Sequence, residues 1–536
     1  MTMRIMLRLR MTIAILAALA GPSWAGPLLD TKVEEVEVRG VKSVRVTTAD
    51  GESLVEPNGQ PIIVAGAGKC QATYEVKPMP GGFDLFVTIE NRTNQRQPRP
   101  AIILRGVQIG GKFTHLDPRG LGQLHEVERK KDDPIFHNAY DYPDDLYSPV
   151  AMLHNDRFAV GASLIYDLLT DRHSVNGVIY SEGGQYYGTS AIGFDLAVPG
   201  QVGGRPRLEE GTTETCRAAF RFARPGDWQA ALEPYREFFR ERYGHVRYRA
   251  DRRPVYGEVM ALDKFIKPDD PRGYPPDKRY DQLGWKPMVD YYLNKAAANG
   301  YRRVMIWAAA GLYQKGPNYP VEFMTAWPDT LVRTRGELSR LKTAGLTVGH
   351  WWGRSGQVSG GWNTGRIWHR DIGMPGDVKA GLVELDLARD RGTDEVGLDA
   401  FTEMPAWQRL IWLERIQKEY PTMRFITESS DCDIAHTMAA TFVTIEQQPQ
   451  SPILAEWLNP GHETWIMLPF QQVNQSNFDK LTGWGCVPVT MSVPIAHAAA
   501  TFDRPAQAAP TEPPSSPRAI NDKRSLTTLR PKDVVK

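Results

Sequence analysis

The chain has 536 residues, 41% of them hydrophobic and 24% charged, with a formal net charge of +1. That length exceeds one typical core, and so even a charge balance gives no reason to expect nucleic acid or an acidic membrane surface as partner. Fourteen tryptophans and twenty tyrosines serve either as core or as flat platforms for sugar rings.

At the amino end, Arg4, Arg8 and Arg10 precede an apolar run from Met11 to Ala20 and a small-residue end at Ser23, Trp24 and Ala25. This is the layout of a cleavable export signal over 1–25, and the run is short of the roughly 20 apolar residues of a bilayer span. The expected product is periplasmic or extracellular, cleaved near Ala25, with no later membrane span. Export permits disulfides, and the division of Cys70, Cys216, Cys432 and Cys486 into an early and a late pair favours Cys70 with Cys216 and Cys432 with Cys486. Free buried thiols are the alternative.

From Lys32 to about Arg224, short alternating runs such as 33–38, 83–89 and 101–104 are separated by Gly, Pro, Asn and Asp, which predicts an antiparallel β-sandwich over 26–225. A helical connector follows in 226–253, with Trp228, Leu232, Tyr235, Phe238 and Phe239 on one side. Strand and helix patterns then alternate over 254–500. Strands are expected at 255–263, 303–310, 346–351, 396–401, 424–428, 441–445, 464–468 and 487–493. Between them, Trp285, Met288, Val289, Tyr292 and Leu293 form a helix face that stops at Gly300. A second helix opens with Thr334 and Glu337 at capping-box spacing and stops at Gly345, and a third carries Trp407, Leu410, Ile411, Leu413 and Ile416. Eight strands in this order predict a (β/α)8 TIM-type barrel. Pro, Ala, Ser and charge dominate 501–536, which predicts a disordered tail.

Strands four and five each end on a carboxylate. A right-handed strand-helix-strand crossover makes them parallel, so Asp399 and Glu428 lie at the same carboxyl-terminal end of the sheet, where barrel enzymes do their chemistry. Neighbouring strands are about 4.8 Å apart, which suits the roughly 5–5.5 Å between the carboxyls of a retaining glycosidase. Asp399, short and held beside the sheet, is the expected nucleophile. Glu428 reaches further and is the expected acid. The alternatives are a structural ion pair with Arg370 or Arg424, and the rival acids Glu403, Asp431, Asp433 and Glu446. Asp431 and Asp433 also read as caps of the next helix, while Asp433 or Glu446 would serve an inverting mechanism.

His350, Trp351, Trp352 and Arg354 end strand three beside the nucleophile. Consecutive residues on a strand face opposite ways, so at most one of the two tryptophans belongs to a sugar pocket. Asp263 on strand one, Trp307 on strand two and Glu446 after strand six are further candidates for binding hydroxyls or ring faces. No pattern calls for a metal or cofactor: Gly66-Ala67-Gly68-Lys69 is too short for a phosphate loop, and His462-Glu463 lacks the second histidine of a zinc helix.

A sandwich followed by a barrel, with Asp ending strand four and Glu ending strand five, resembles the retaining α-glycosidases, particularly the endo-α-N-acetylgalactosaminidase type. Gly397-Leu398-Asp399-Ala400-Phe401 is also similar to the nucleophile strand of the α-galactosidases and α-glucosidases, which place their acid one strand later. The resemblance implies hydrolysis of an α-linked sugar in an oligosaccharide or glycoconjugate, through a covalent glycosyl-enzyme and without a cofactor. A non-catalytic carbohydrate-binding or scaffold protein on the same fold is the alternative.

Overall fold

The computed structural model describes residues 28–491, apart from 56–60, 66–68, 110–113, 122, 128–136, 172–174, 183–188, 197–206, 260–284, 308–320, 322, 326–334, 361–365 and 430. Residues 1–25, expected as an export signal, Asp263, Thr334 and residues 501–536, expected as a tail, lie outside the described residues.

Alternating apolar side chains build the amino-terminal sheets. In Gly82–Glu90 the residues Phe83, Leu85, Val87 and Ile89 are all fully buried, the two-residue period of a strand with one inward face. This strand belongs to a seven-stranded antiparallel sheet that also contains Thr213–Ala223 and Ala159–Ile165. A five-stranded antiparallel sheet, including Ala101–Ile109 and Thr189–Asp195, contributes Ile102, Leu104 and Phe194 to the same apolar cluster. The connector helix Trp228–Tyr243, which packs on the Ala159–Ile165 and Thr213–Ala223 strands, buries Ala230, Ala231, Leu232, Tyr235 and Phe239. A glycine is required at that crossing, because a Cβ on Gly161 would fall 2.6 Å from the Ala231 carbonyl oxygen.

The carboxyl-terminal half closes a parallel barrel of β1 (Val255–Val259), β2 (Arg303–Trp307), β3 (Thr347–Trp352), β4 (Glu395–Leu398), β5 (Arg424–Glu428), β6 (Ala440–Thr444), β7 (Thr464–Leu468) and β8 (Val487–Met491), with β8 pairing back onto β1. The chain is thus an antiparallel β-sandwich followed by a TIM-type barrel. Between β3 and β4 the chain holds a hairpin of Gln357–Ser359 with Ile367–His369 and the helix Pro375–Asp390, which the sequence pattern did not bring out. All four cysteines are free and buried, so the favoured disulfide pairings do not form. Cys432 lies on the loop leaving the carboxyl end of β5, whereas Cys486 immediately precedes β8 at the opposite end of the barrel. Cys216 is level with Val87 and, through it, with Tyr74, well along the neighbouring strand from Cys70.

Charge closes the amino end of the barrel. Arg303, Glu395 and Arg424 open β2, β4 and β5, and Glu463 directly precedes β7. Arg303 Nη2 donates to Glu395 Oε1 and to Glu463 Oε1, each at 2.8 Å, and Arg424 Nη1 donates to Glu395 Oε1 at 2.8 Å. Arg424 also bonds the second oxygen of Glu463, and the Arg303 guanidinium sits 4.7 Å over the Trp465 ring. Removing one member strands buried charge. Glu395→Ala is therefore expected to cost about 3–5 kcal/mol of stability, read as a lower urea midpoint.

Candidate active site

Parity along the strands decides what enters the barrel. Ile426 lies in the interior cluster with Met305, Trp351, Phe442 and Trp465, so Glu428, two residues on, faces the same lumen at the carboxyl-terminal mouth. Glu395 and Gly397 share that phase on β4, and Asp399 follows in the turn.

The β3 loop grips Asp399 through its backbone. Its N–H donates to the Trp352 carbonyl at 3.0 Å, and its own carbonyl accepts from Ser355 N–H and Ser355 Oγ, each at 2.9 Å. The Arg354 N–H donates to Asp399 Oδ2 at 3.1 Å. Ala400 then adopts a left-handed conformation, φ 51°.

The two carboxyls are neighbours at adjacent parallel strand ends, each close enough to act on the other's charge. Burial is the main force raising the proton affinity of Glu428 well above the usual carboxylate range, followed by its hydrogen bond to Asp399 and the charge there; the Ala400 N–H opposes them. A carboxyl raised this far, to about 9, keeps its proton at neutral pH. Among the described residues neither carboxyl makes a salt bridge. Arg424 is committed to the opposite end of the barrel, and Arg370 donates to the carbonyls of Ser355, Asp377 and Gln357.

Beneath the carboxyls, Trp307 stacks on Trp351 with ring centroids 4.9 Å apart and planes at 26°. Phe442 meets Trp351 edge-on at 4.9 Å. The space for this layer comes from β4 and β1: a Cβ on Gly397 would lie 1.9 Å from Trp351 Cε3, and one on Gly257 would lie 2.4 Å from Trp307 Cζ3. Gly397→Ala must displace the indole directly below Asp399. We expect a loss of about 1–3 kcal/mol from overpacking, seen as a lower melting temperature and an altered near-ultraviolet circular dichroism band.

The remaining candidates divide by the same parity. Trp351 and Trp307 line the lumen. Trp352 points outward, donating Nε1–H to the Val321 carbonyl at 3.0 Å and stacking on Phe323 at 5.6 Å. His350 also points outward and is fully buried, with Nδ1 3.0 Å from Thr393 Oγ1; burial holds its proton affinity down, to about 3. Neither faces the mouth, which corrects their assignment as sugar contacts. Arg354 meets the site through its backbone N–H. Glu446 is exposed and accepts from Gln472 Nε2 at 2.8 Å. Exposed Glu403 accepts from Gln357 Nε2.

Asp431 and Asp433 are not free acids. Arg409 Nε bonds Asp431 at 3.3 Å, and the hydroxyls of Tyr142 and Tyr235 donate to Asp433 at 2.8 and 2.6 Å. Arg409 carries a sequence signal, since it lies on the face of the helix Ala406–Glu419 that also buries Leu413 and Ile416, and a buried charge there needs a partner. Among the described residues no group of three or more His, Cys, Asp or Glu is arranged to hold a metal ion, and no helix is long and apolar enough to cross a membrane.

A carboxyl pair at the mouth of a (β/α)8 barrel, behind a β-sandwich, defines the class of architecture. No family model matches the chain, and no curated protein matches it in sequence. Among solved structures it is similar to an α-galactosidase from Thermus thermophilus in complex with stachyose, at 11% identity and a TM-score of 0.44, covering 88% of this chain and 99% of that one. It is also similar to the glycoside hydrolase domain of PelA from Pseudomonas aeruginosa, at 13% identity and a TM-score of 0.28 over 44% of this chain and 94% of that one. A third is the maltogenic α-amylase AmyB from Thermotoga neapolitana, at 9% identity and a TM-score of 0.33, over 45% of this chain and 68% of that one.

Proposed function

We propose that this protein is an exported glycoside hydrolase that cleaves an α-linked sugar with retention. The observation that carries this reading is the placement of Asp399 and Glu428 at adjacent parallel strand ends, where burial and the neighbouring Asp399 raise the proton affinity of Glu428. Asp399 attacks the anomeric carbon while Glu428 gives its proton to the glycosidic oxygen, and the bond between that carbon and oxygen breaks. Glu428, now a carboxylate, takes a proton from water as the water oxygen displaces Asp399 from the same carbon. Side chains at the ends of neighbouring strands, about 4.8 Å apart, suit the roughly 5–5.5 Å of a retaining pair better than the roughly 6.5–9.5 Å of an inverting one. Trp307 and Trp351 offer the floor against which the C–H face of a ring can lie. The α-linkage rests on the resemblance of the Gly397–Phe401 segment, and export rests on residues 1–25.

Proton NMR of the first-released anomer, over a panel of aryl α- and β-glycosides, tests this. An α-anomer appearing first from an α-substrate is the expected result. A β-anomer appearing first, or no turnover across the panel, counts against it.

A further inference from the structure

The loop leaving Glu428 runs into the interface with the sandwich. Asp431 and Asp433 are 1% and 0% exposed. Asp433 meets three groups from outside the barrel: Tyr142 Oη donates to its Oδ1 at 2.8 Å, Tyr235 Oη to its Oδ2 at 2.6 Å, and its own N–H donates to the Tyr147 carbonyl at 2.9 Å; within the barrel half, Ile434 N–H donates to Oδ1 at 2.8 Å and Asn459 Nδ2 to its carbonyl at 3.0 Å. Tyr142 closes the sandwich strand His137–Tyr142, and Tyr235 lies on the connector helix. Burial pushes the Asp433 carboxyl up to about 6, and the tyrosine hydrogen bonds pull against that shift.

Arg409 completes the joint. Its Nε donates to Asp431 at 3.3 Å, and its Nη1 donates to the Met404 carbonyl at 3.2 Å and to Asp144 of the sandwich at 3.0 Å. Met404 lies on the segment that follows Asp399, and Asp431 lies on the one that follows Glu428. One guanidinium, itself 1% exposed, thus ties both carboxyl-bearing segments to the sandwich. Apolar contact alone would bury this surface more cheaply. Hydrogen bonds add direction, fixing where each segment sits.

We propose that the sandwich and connector helix brace the catalytic pair, with Arg409, Tyr142 and Tyr235 as positioning residues that set how closely Glu428 approaches Asp399. This rests on the assignment of that pair as catalytic. The test uses the full chain with 13C in its glutamate side-chain carboxyls, the Glu428 signal being identified by its loss in Glu428→Gln. Tyr142→Phe, Tyr235→Phe and Arg409→Lys are then titrated beside the wild type.

A loosened brace weakens the contact with Asp399. The Glu428 midpoint should then fall by about 1 pH unit, a tenfold change in proton affinity, and kcat should fall about 10- to 100-fold with KM within about twofold. An unchanged Glu428 midpoint in variants that melt earlier overturns the brace and leaves a structural joint. Should Arg409→Lys fail to fold, the tyrosine variants, each short of one hydroxyl, still decide. The two ideas also fail differently. A shifted midpoint without turnover on any glycoside removes the hydrolase and keeps the brace, whereas a wild-type Glu428 titrating as an ordinary carboxyl removes both.

Discussion

Asp399→Asn is expected to lower kcat/KM by about 10⁴-fold or more, a transition-state loss of about 5.5 kcal/mol, while the protein stays folded. The substitution keeps an oxygen for the Arg354 N–H that now bonds Oδ2 at 3.1 Å, and it leaves untouched the backbone bonds to Trp352 and Ser355. What it removes is the anion able to form a bond to the anomeric carbon. It also removes the charge facing Glu428, one of the causes of that residue's raised proton affinity, so the Glu428 proton should become easier to remove. A smaller variant, Asp399→Gly, opens space in which added azide can attack in place of the carboxylate. From an α-glycoside with a good leaving group, it should yield the β-glycosyl azide. Steady-state kinetics with the melting temperature of each variant checks the first claim, and product NMR checks the second. Activity within about tenfold of wild type in Asp399→Asn would remove this residue from the chemistry.

The barrel was legible in the chain because its strands are short apolar runs bounded by turn residues. β3 follows Gly345, whose φ of 78° needs a glycine, and β5 occupies the predicted residues Arg424–Glu428. The position of Glu428 at a lumen-facing strand end followed from the same pattern. The helix Pro375–Asp390 was hidden by its own buried charges. Asp377 accepts from Asp371 N–H at 3.0 Å and from Trp368 Nε1 at 3.2 Å, and Glu384 caps the N–H groups of Met324 and Thr325. With carboxylates on the buried face and glycines at 376 and 381, the apolar stripe is broken. His350 misled because its residue type suits a hydroxyl ligand, although its parity with Trp352 directs it outward. Gly397 held the missing clue, since a glycine beneath a strand-end carboxylate leaves room for an indole from the neighbouring strand. The joint of Tyr142 and Tyr235 with Asp433 had no local signal: its partners stand 291 and 198 positions apart, and only the docking of sandwich on barrel brings them together.

Glu428→Gln should separate the acid's work from the nucleophile's. Loss of general acid catalysis is worth about 10²–10⁴-fold, and it should be largest for substrates whose leaving group needs a proton, such as alkyl glycosides. Aryl glycosides with acidic phenols should lose far less in the first step, because their oxygen departs as an anion. The pH dependence carries the sign. In the wild type, Glu428 keeps its proton past the ordinary carboxylate range, so kcat/KM should hold through neutrality and fall as pH rises through the raised value. In Glu428→Gln that alkaline limb should vanish. Stability should fall with rising pH as well. Between the unfolded pKa and the raised folded one, the native state binds more protons than the unfolded chain, so stability at this position is present at low pH and lost as pH rises. Replacing the acid by an uncharged amide removes that slope, and Glu428→Gln should melt higher than the wild type on the alkaline side. A variant that keeps the alkaline limb, or that melts lower than the wild type at every pH, would mean that Glu428 does not carry the proton the mechanism needs.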